Sequence, residues 1–481
     1  MKKIICLALA VLMLLAVFVG CSKEGNKTSD STSGDQKPKS TGYVADVPDK
    51  DYDGADFKLM CRARTANWGE LVFYSEGYDG TPLNDATFDR NTKVEEDCGI
   101  SLEIVEVEDA STTGGTFFRL LNENAQSGDY IADILIPGAI DACHLVSQNI
   151  FVNLQEVPYV NLQAEWWQQK LNDSVKLLGK QYFGFNDMLI NDKRDTYLIY
   201  FNKDNFDDSQ LEYPYQMAYD GTWTNEAMLK LITQYGGSDL NMDGLCGVDD
   251  KVPYAYLLND TFFIGAGIKG AELDSDGYPY ITKFDNKLTD VADIITRICT
   301  GSSFNAFNFG NLDDAQAVFD DDGLFMNFHM YHMATISADY ESNVGIVPCP
   351  KFDEQQKEYY ARSGYNGATC VAIPTSCEDK ERAGIVLEVF CAESKNYISP
   401  AFYDKLFTDR YSQDDDSKKM LDTVIKAEVL DLDQIFSWGN LMVSFAASAS
   451  RGQSIASSYA KLSERASKSV ENTISQYFKI G

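Results

Sequence analysis

TYLIYFNK, residues 196 to 203, is followed after a turn-rich stretch by TNEAMLKLITQYG, residues 224 to 236. The first segment is a short aromatic and β-branched run that reads as a buried strand. The second carries Met228, Leu231, Ile232 and Tyr235 on one face, with Thr224 placed to cap a helix and Gly236 to stop it. The pair decides the fold because the same alternation has already run once. FKLMCRA (57–63) reads as a strand, PLNDATFDRNTKVEEDCG (82–99) as a helix closed by Gly99, and ISLEIVEV (100–107) as a second strand. A helix around FFRLLNENAQ leads to YIADILIP (130–137), an apolar run suited to a central parallel strand. Alternating strands and helices predict a doubly wound sheet, and the restart after residue 195 predicts a second α/β lobe.

Downstream, GIVPCP and GATCVAIP read as short strands and DKERAGIVLEVFCAE as a helix with Ala383, Val386, Leu387 and Phe390 on one stripe. The last 29 or so residues form a long amphipathic helix whose apolar side holds Ile455, Tyr459, Leu462, Ala466 and Val470. The Trp166-Trp167 pair is expected to pack an interlobe surface, Trp223 to pack at a helix start, and NFHMYHM to be a packed helical turn.

The N-terminus MKKIICLALAVLMLLAVFVGC joins two lysines to an apolar run too short to span a bilayer and then a small residue and a cysteine, the pattern of an export signal. Phe18-Val19-Gly20-Cys21 resembles a bacterial lipobox, which implies acylation of Cys21 and a tether on the outer face of a membrane. Residues 22 to 42 hold almost no apolar side chains and are read as a leash. The remaining body exceeds what one core supports, which again predicts two lobes. A formal charge of -32 excludes phosphate-backbone binding, so nucleic acid is not a partner. That charge also weighs against anionic solutes unless a local basic pocket overrides it. Nine cysteines follow Cys21, an odd number without any CxxC pair, and read as buried hydrophobes rather than a disulfide framework.

SDLNMDGLCGVDD (238–250) sets Asp239, Asn241 and Asp243 at positions one, three and five of a calcium-type loop. Gly244 stands at the sharp turn, the Leu245 carbonyl at seven and Asp250 at twelve. Pro253 leaves no room for an exit helix and no second loop exists, so the expectation is a structural calcium ion and not a sensor. GAGIKG (265–270) matches a dinucleotide fingerprint, but a turn replaces the helix that would hold a pyrophosphate. His144, His329 and His332 lack zinc-site spacing, and no GxSxG elbow is present. A pair of glycosidase carboxylates is not excluded by counting acids, so a secreted glycoside hydrolase stays as the alternative.

Taken in order, DATFDRNTKVEEDCGI, ADILIPGAIDACHLVSQNIFVNL, EWWQQKLNDSVKLLGKQYFGFND, YFNKDNF with TWTNEAMLKL, and GATCVAIP resemble the extracellular solute-binding lipoproteins of ABC importers, in the carbohydrate-binding group related to maltose-binding protein. The resemblance runs from about residue 55 to the C-terminus. It implies an α/β, two-lobed periplasmic-binding-protein-like fold of type II with a hinge between lobes and a ligand cleft. It also implies a monomer without enzymatic activity that captures a carbohydrate, or another polar solute, and hands it to ABC permease subunits. The expected division is signal 1–20, lipidated linker 21–52, lobe 1 from 53–190 and 366–430, and lobe 2 from 191–365 and 431–481. Sugars need flat rings for stacking and planar polar groups for paired hydrogen bonds. Candidate contacts from the loop after the first strand are Arg64, Trp68, Glu70 and Tyr74; the first crossing offers Asp187 and Arg194, the return crossing Tyr365 and Asn366, and FSWGN offers Trp438.

Overall fold

The computed structural model describes residues 42–62, 73–108, 113–330, 343–364, 367–406, 414–477 and 479. Arg64, Trp68, Glu70, Tyr365, Asn366 and Cys21 therefore lie outside the described residues, as do the signal and most of the leash.

In the first lobe β1 (Ala55–Arg62) lies between β2 (Ile100–Val107) and β3 (Ile134–Ile136), all parallel, with Leu59 opposite both Ile104 and Ile134. The connections are α1 (Pro82–Cys98), α2 (Thr116–Ser127) and, after β3, α3 (Ala139–Val146); α4 (Gln169–Val175) follows. Gly99 ends α1 in the left-handed region at φ 61°, with its N–H on the Glu95 carbonyl, the stop the sequence predicts. Phe57, Leu59 and Cys61 pack one face of the sheet while Met60 packs the other, the period-two pattern of a strand covered on both sides.

The chain then passes through α5 (Asn191–Arg194) into β4 (Tyr197–Asn202). The second lobe continues with α6 (Lys203–Asp208), α7 (Tyr215–Asp220), α8 (Asn225–Tyr235), β5 (Tyr254–Tyr256), α9 (Asp260–Gly265), the hairpin β6 (Ala271–Leu273) and β7 (Pro279–Ile281), α10 (Asn286–Thr300), β8 (Ala306–Asn308), α11 (Leu312–Asp321), β9 (Phe325–His329) and β10 (Val344–Val347). Its sheet has the order β10-β4-β9-β5-β8. The α8 helix starts as read, with the Thr224 hydroxyl accepting from the Ala227 N–H at 3.2 Å. Trp223 is fully buried and donates its indole N–H to the Pro348 carbonyl at 2.8 Å. NFHMYHM departs from its helical reading: Asn327, Phe328 and His329 belong to β9, because a short apolar run buried on both faces suits a central strand as well as a helix.

The return crossing is β11 (Ala361–Arg362), whose chain rejoins the first sheet through antiparallel bridges Gly138–Thr369 and Leu135–Ala372. The long α12 (Lys380–Leu406) packs on α1. The chain crosses a third time to α13 (Asp415–Lys426), β12 (Glu428–Val429), α14 (Leu432–Ile435), α15 (Leu441–Ala449) and α16 (Ile455–Tyr477). α13 packs on β10 of the second lobe, and Asp414 before it pairs with Lys203, so this crossing falls earlier than the expected boundary at 430.

Two further readings change. Trp166 and Trp167 pack chiefly inside the first lobe, where both are buried and both indoles donate to Glu388 of α12 at 2.9 Å, while Trp167 also borders a recess shared with the third crossing. Burial pushes the Glu388 carboxyl up to about 7 while those donors pull it down. The linker boundary expected at residue 52 also moves. Residues 42–52 lie along the first lobe, with the Tyr43 backbone exchanging hydrogen bonds with the Asn396 amide and the Tyr52 N–H bonded to the Cys98 carbonyl. The nine described cysteines are all free thiols.

Candidate functional site

Strand direction locates the site. β4 begins immediately after the first crossing, and its antiparallel register places Tyr197 opposite His329, the last residue of β9. Since β9, β5 and β8 are parallel, the C-terminal ends Tyr256 and Asn308 lie on that same crossing side. In the first lobe the end of β3 also meets a crossing: Ala139 N–H bonds the Ala368 carbonyl and Cys370 N–H the Pro137 carbonyl. Both sheets thus turn their carboxyl ends toward the three crossings, where open α/β sheets hold ligands.

The crossings are tied together at atomic distances. β11 and β12 pair in parallel, Ala361 opposite Glu428 and Arg362 opposite Val429. Thr196 of the first crossing donates its hydroxyl to Glu428 of the third at 2.6 Å. Burial and the neighbouring Asp192 both push the Glu428 carboxyl upward. Arg362 forms a buried ion pair with Asp260 at 2.7 Å and lies over the Tyr197 ring at 4.5 Å; Gln434 donates to the same Asp260 oxygen at 2.8 Å. Asp195 packs against the backbone of Gly364 and Gly367, where a Cβ on either glycine would overlap it. Burial pushes the Asp195 carboxyl up to about 6, against the pull of Arg194 and Arg362.

Of the predicted contacts, Asp187 and Arg194 are brought to the crossings. Asp187 pairs with Lys395 at 2.9 Å and Lys193 at 3.4 Å, and lines a recess of about 470 Å3 with Trp167 and Glu428. Tyr74 is 43% exposed on the first lobe, its hydroxyl 3.2 Å from Glu76. Trp438 is a correction. Only 2% exposed, it stacks on Phe436 with centroids 4.8 Å apart and donates to Thr473 at 2.9 Å, so protein covers both its faces.

A second recess, of about 370 Å3, opens at the ends of β5 and β8 and is lined by Tyr256, Asn259, Asp260, Asn308, Ser450 and Arg451 among others. Sequence reasoning missed these residues. The available signal was position: each of the first four lies at or just after a strand end, but YAY (254–256) and AFN (306–308) are too short to read as strands.

The calcium-type loop lies at the other end of the second lobe, where Ser238 bridges to Lys251 ahead of β5. Gly244 makes the turn at φ 81°. The carboxylates bind their own backbone: Asp239 accepts from Met242 and Gly244, Asp243 from Leu245, and buried Asp250 from Leu240 and Gly247. Among the described residues no three acidic, imidazole or thiol groups converge as a metal cage. The chain has the shape of the loop, but its oxygens would have to turn inward to hold an ion. After GAGIKG comes strand β6.

No family model matches the chain, and no curated protein matches it in sequence. Solved structures match in shape. The cyclic alpha-maltosyl-1,6-maltose binding protein of Arthrobacter globiformis has a TM-score of 0.56 at 11% identity, over 88% of this chain and 99% of that one. The GacH receptor of Streptomyces glaucescens, solved unliganded and with acarbose, gives 0.51 at 10% identity over 89% and 100%. The galacto-N-biose/lacto-N-biose I-binding protein of the ABC transporter from Bifidobacterium longum, in complex with lacto-N-biose, gives 0.51 at 12% over 89% and 98%. At these identities the likeness establishes the fold alone, two α/β lobes.

Proposed function

We propose that this chain is the substrate-binding lipoprotein of an ABC importer, closing its two lobes on a carbohydrate and releasing it unaltered to a membrane permease. The observation that carries the reading is that both sheets direct their carboxyl ends at one set of three crossings, which gives a cleft walled by two lobes and floored by a hinge. Of the neighbours in shape, two are named as sugar-binding proteins, one of them as part of an ABC transporter, and the third as a receptor solved with acarbose. The acids at the hinge are engaged in ion pairs and hydrogen bonds, as Asp260 is with Arg362 and Glu428 with Thr196, which suits a structural role better than proton transfer. Arg64, Trp68, Glu70, Tyr365 and Asn366 remain proposed contacts from the loop after β1 and from the return crossing. Acylation of Cys21 would hold the protein on the outer face of the membrane; among the described residues no helix is long and apolar enough to cross one. Calcium in the 239–250 loop, with Asp239, Asn241, Asp243, the Leu245 carbonyl and Asp250 as ligands, would be a structural ion remote from the cleft.

A thermal-shift panel of mono- and oligosaccharides tests the reading, followed by chromatography of the recovered sugar. The expected result is a rise of several degrees in Tm with at least one sugar, which is recovered intact. No shift with any sugar would contradict capture, and shortened products would favour a glycoside hydrolase.

A further inference from the structure

The recess of about 470 Å3 lies on the seam between the lobes. Trp167, α4 and Lys395 of α12 line it from the first lobe, and the end of α13 with Glu428 of the third crossing lines it from the other side. Three acids meet at this seam, Asp187 and Asp192 of the first crossing and Glu428, each less than a tenth exposed. Two lysines serve two of them. Lys395 lies 2.9 Å from Asp187, and Lys193 lies 3.4 Å from Asp187 and 3.7 Å from Asp192. Among the described residues no cation pairs with Glu428, whose carboxyl has one hydrogen-bond partner, the Thr196 hydroxyl. A buried carboxylate without a counter-charge is costly, and binding a proton relieves it.

The hydrogen bonds call for the same proton. Thr196 has one hydroxyl hydrogen and two oxygens to give it to, Oε1 of Glu428 at 2.6 Å and the Asp192 carbonyl at 2.9 Å. With Glu428 ionised, the hydroxyl serves the carboxylate and the carbonyl goes without it. With Glu428 protonated, the acid donates to Thr196 and the hydroxyl donates to the carbonyl, so both contacts are satisfied at once. Burial pushes the Glu428 carboxyl up and the charge of Asp192 adds to the shift, while Lys193 pulls it down. The other cations around the recess are engaged elsewhere, Lys170 of α4 with Glu358 and Lys426 of α13 with Asp422. Glu165 before α4 and Tyr403 of α12 also line it, and neither supplies a positive charge. On the β11 side Arg362 is paired with Asp260, and on the first crossing Arg194 acts on Asp195.

We propose that Glu428 is a proton-binding group of the hinge, protonated in this arrangement and deprotonated when movement of the lobes opens the seam to water, so that solute capture exchanges a proton and depends on pH. The inference rests on the capture reading and adds a regulator to it. Glu428 follows α13, which packs on β10 of the second lobe, whereas Asp187 is held by Lys395 in the first. Lys193 and Thr196 stand between them on the first crossing, so rotation about the crossings changes their distance from Glu428. The recess gives water a way to the carboxyl, and the proton leaves through it to solvent. Hydration and a nearer lysine both favour the ionised form. A purely structural bond between Thr196 and Glu428 would exchange no proton.

Isothermal titration calorimetry on the full-length chain tests this with a sugar that raises its Tm, in phosphate and in Tris buffer, over a pH series from weakly acidic to weakly alkaline. A proton exchanged on binding makes the apparent enthalpy differ between the buffers, and by linkage half a proton changes the affinity about threefold per pH unit. The expected result is an exchange of about half a proton per sugar at its maximum, falling to about zero in Glu428→Gln. The amide of that variant can still donate to Thr196, and its sugar affinity should no longer vary with pH. Equal enthalpies in the two buffers throughout the series for the unaltered chain would overturn the inference and leave capture standing, whether or not the variant folds. An exchange that persists unchanged in Glu428→Gln would overturn it too, by assigning the proton to another carboxyl such as Asp195. Binding of no sugar would remove both readings.

Discussion

Asp195 shows how much a single residue carries at the hinge. Its carboxyl is pushed from the ordinary 3.8 up to about 6 because burial between Gly364 and Gly367 outweighs the pull of Arg194 and Arg362. A folded-state value above the unfolded one means that the native protein holds the proton more tightly between about pH 4 and 6. Stability is therefore expected to fall as pH rises through that window and to level off above it. Asp195→Asn should remove that slope and stabilise the protein at pH 7 by about 1–3 kcal/mol, read as a rise in Tm over parallel pH series. Parallel profiles for the two proteins would show that Asp195 is not the titrating group. The sequence held a partial signal here. GFNDMLINDKRD was recognisable as a crossing, yet of its residues Asp187 and Arg194 drew notice while Asp195 did not, because what marks Asp195 is two glycines about 170 residues downstream that leave it room.

At the scale of elements, the strand–helix alternation was legible wherever an element was long enough to show a period: β1, β2, α1, α8 and α16 stand where the pattern puts them. It failed for elements of two or three residues. β5, β8, β11 and β12 make the hinge and the wall of the recess, and none is long enough to display alternation. Trp438 departs for a related reason: nothing within FSWGN announces that its ring stacks on Phe436, just after α14, and donates its indole N–H to Thr473 of α16. The 238–250 loop was legible as a motif, and its occupancy is a matter for measurement. If calcium binds, an excess of chelator should lower Tm by several degrees and restored calcium should recover it, as expected for an ion near 100 times its dissociation constant contributing about 2.7 kcal/mol. Sugar selectivity should be unaffected, since the loop sits ahead of the N-terminal end of β5, away from the crossings. An unaltered melting curve would show that the backbone amides now bound to Asp239 and Asp250 suffice to hold the loop.

For the whole molecule, the account depends on the lobes moving about the three crossings. The hinge is narrow, two paired residues each in β11 and β12 with Thr196 bonded across to Glu428. Contacts outside it include some of a kind that can break: the Leu178 N–H on the Gly277 carbonyl at 2.9 Å, the exposed Lys170–Glu358 pair at 3.1 Å, and the edge-on rings of Tyr182 and Tyr477 at 5.7 Å. An exposed ion pair contributes at most about 1 kcal/mol, so solute contacts made in only one arrangement are enough to shift the balance between arrangements. The most direct measurement is small-angle X-ray scattering of the protein with and without a sugar that raises its Tm. Hinged capture predicts a smaller radius of gyration with the sugar bound and a return to the initial value when the sugar is dialysed away; an identical scattering curve at saturating sugar would contradict it.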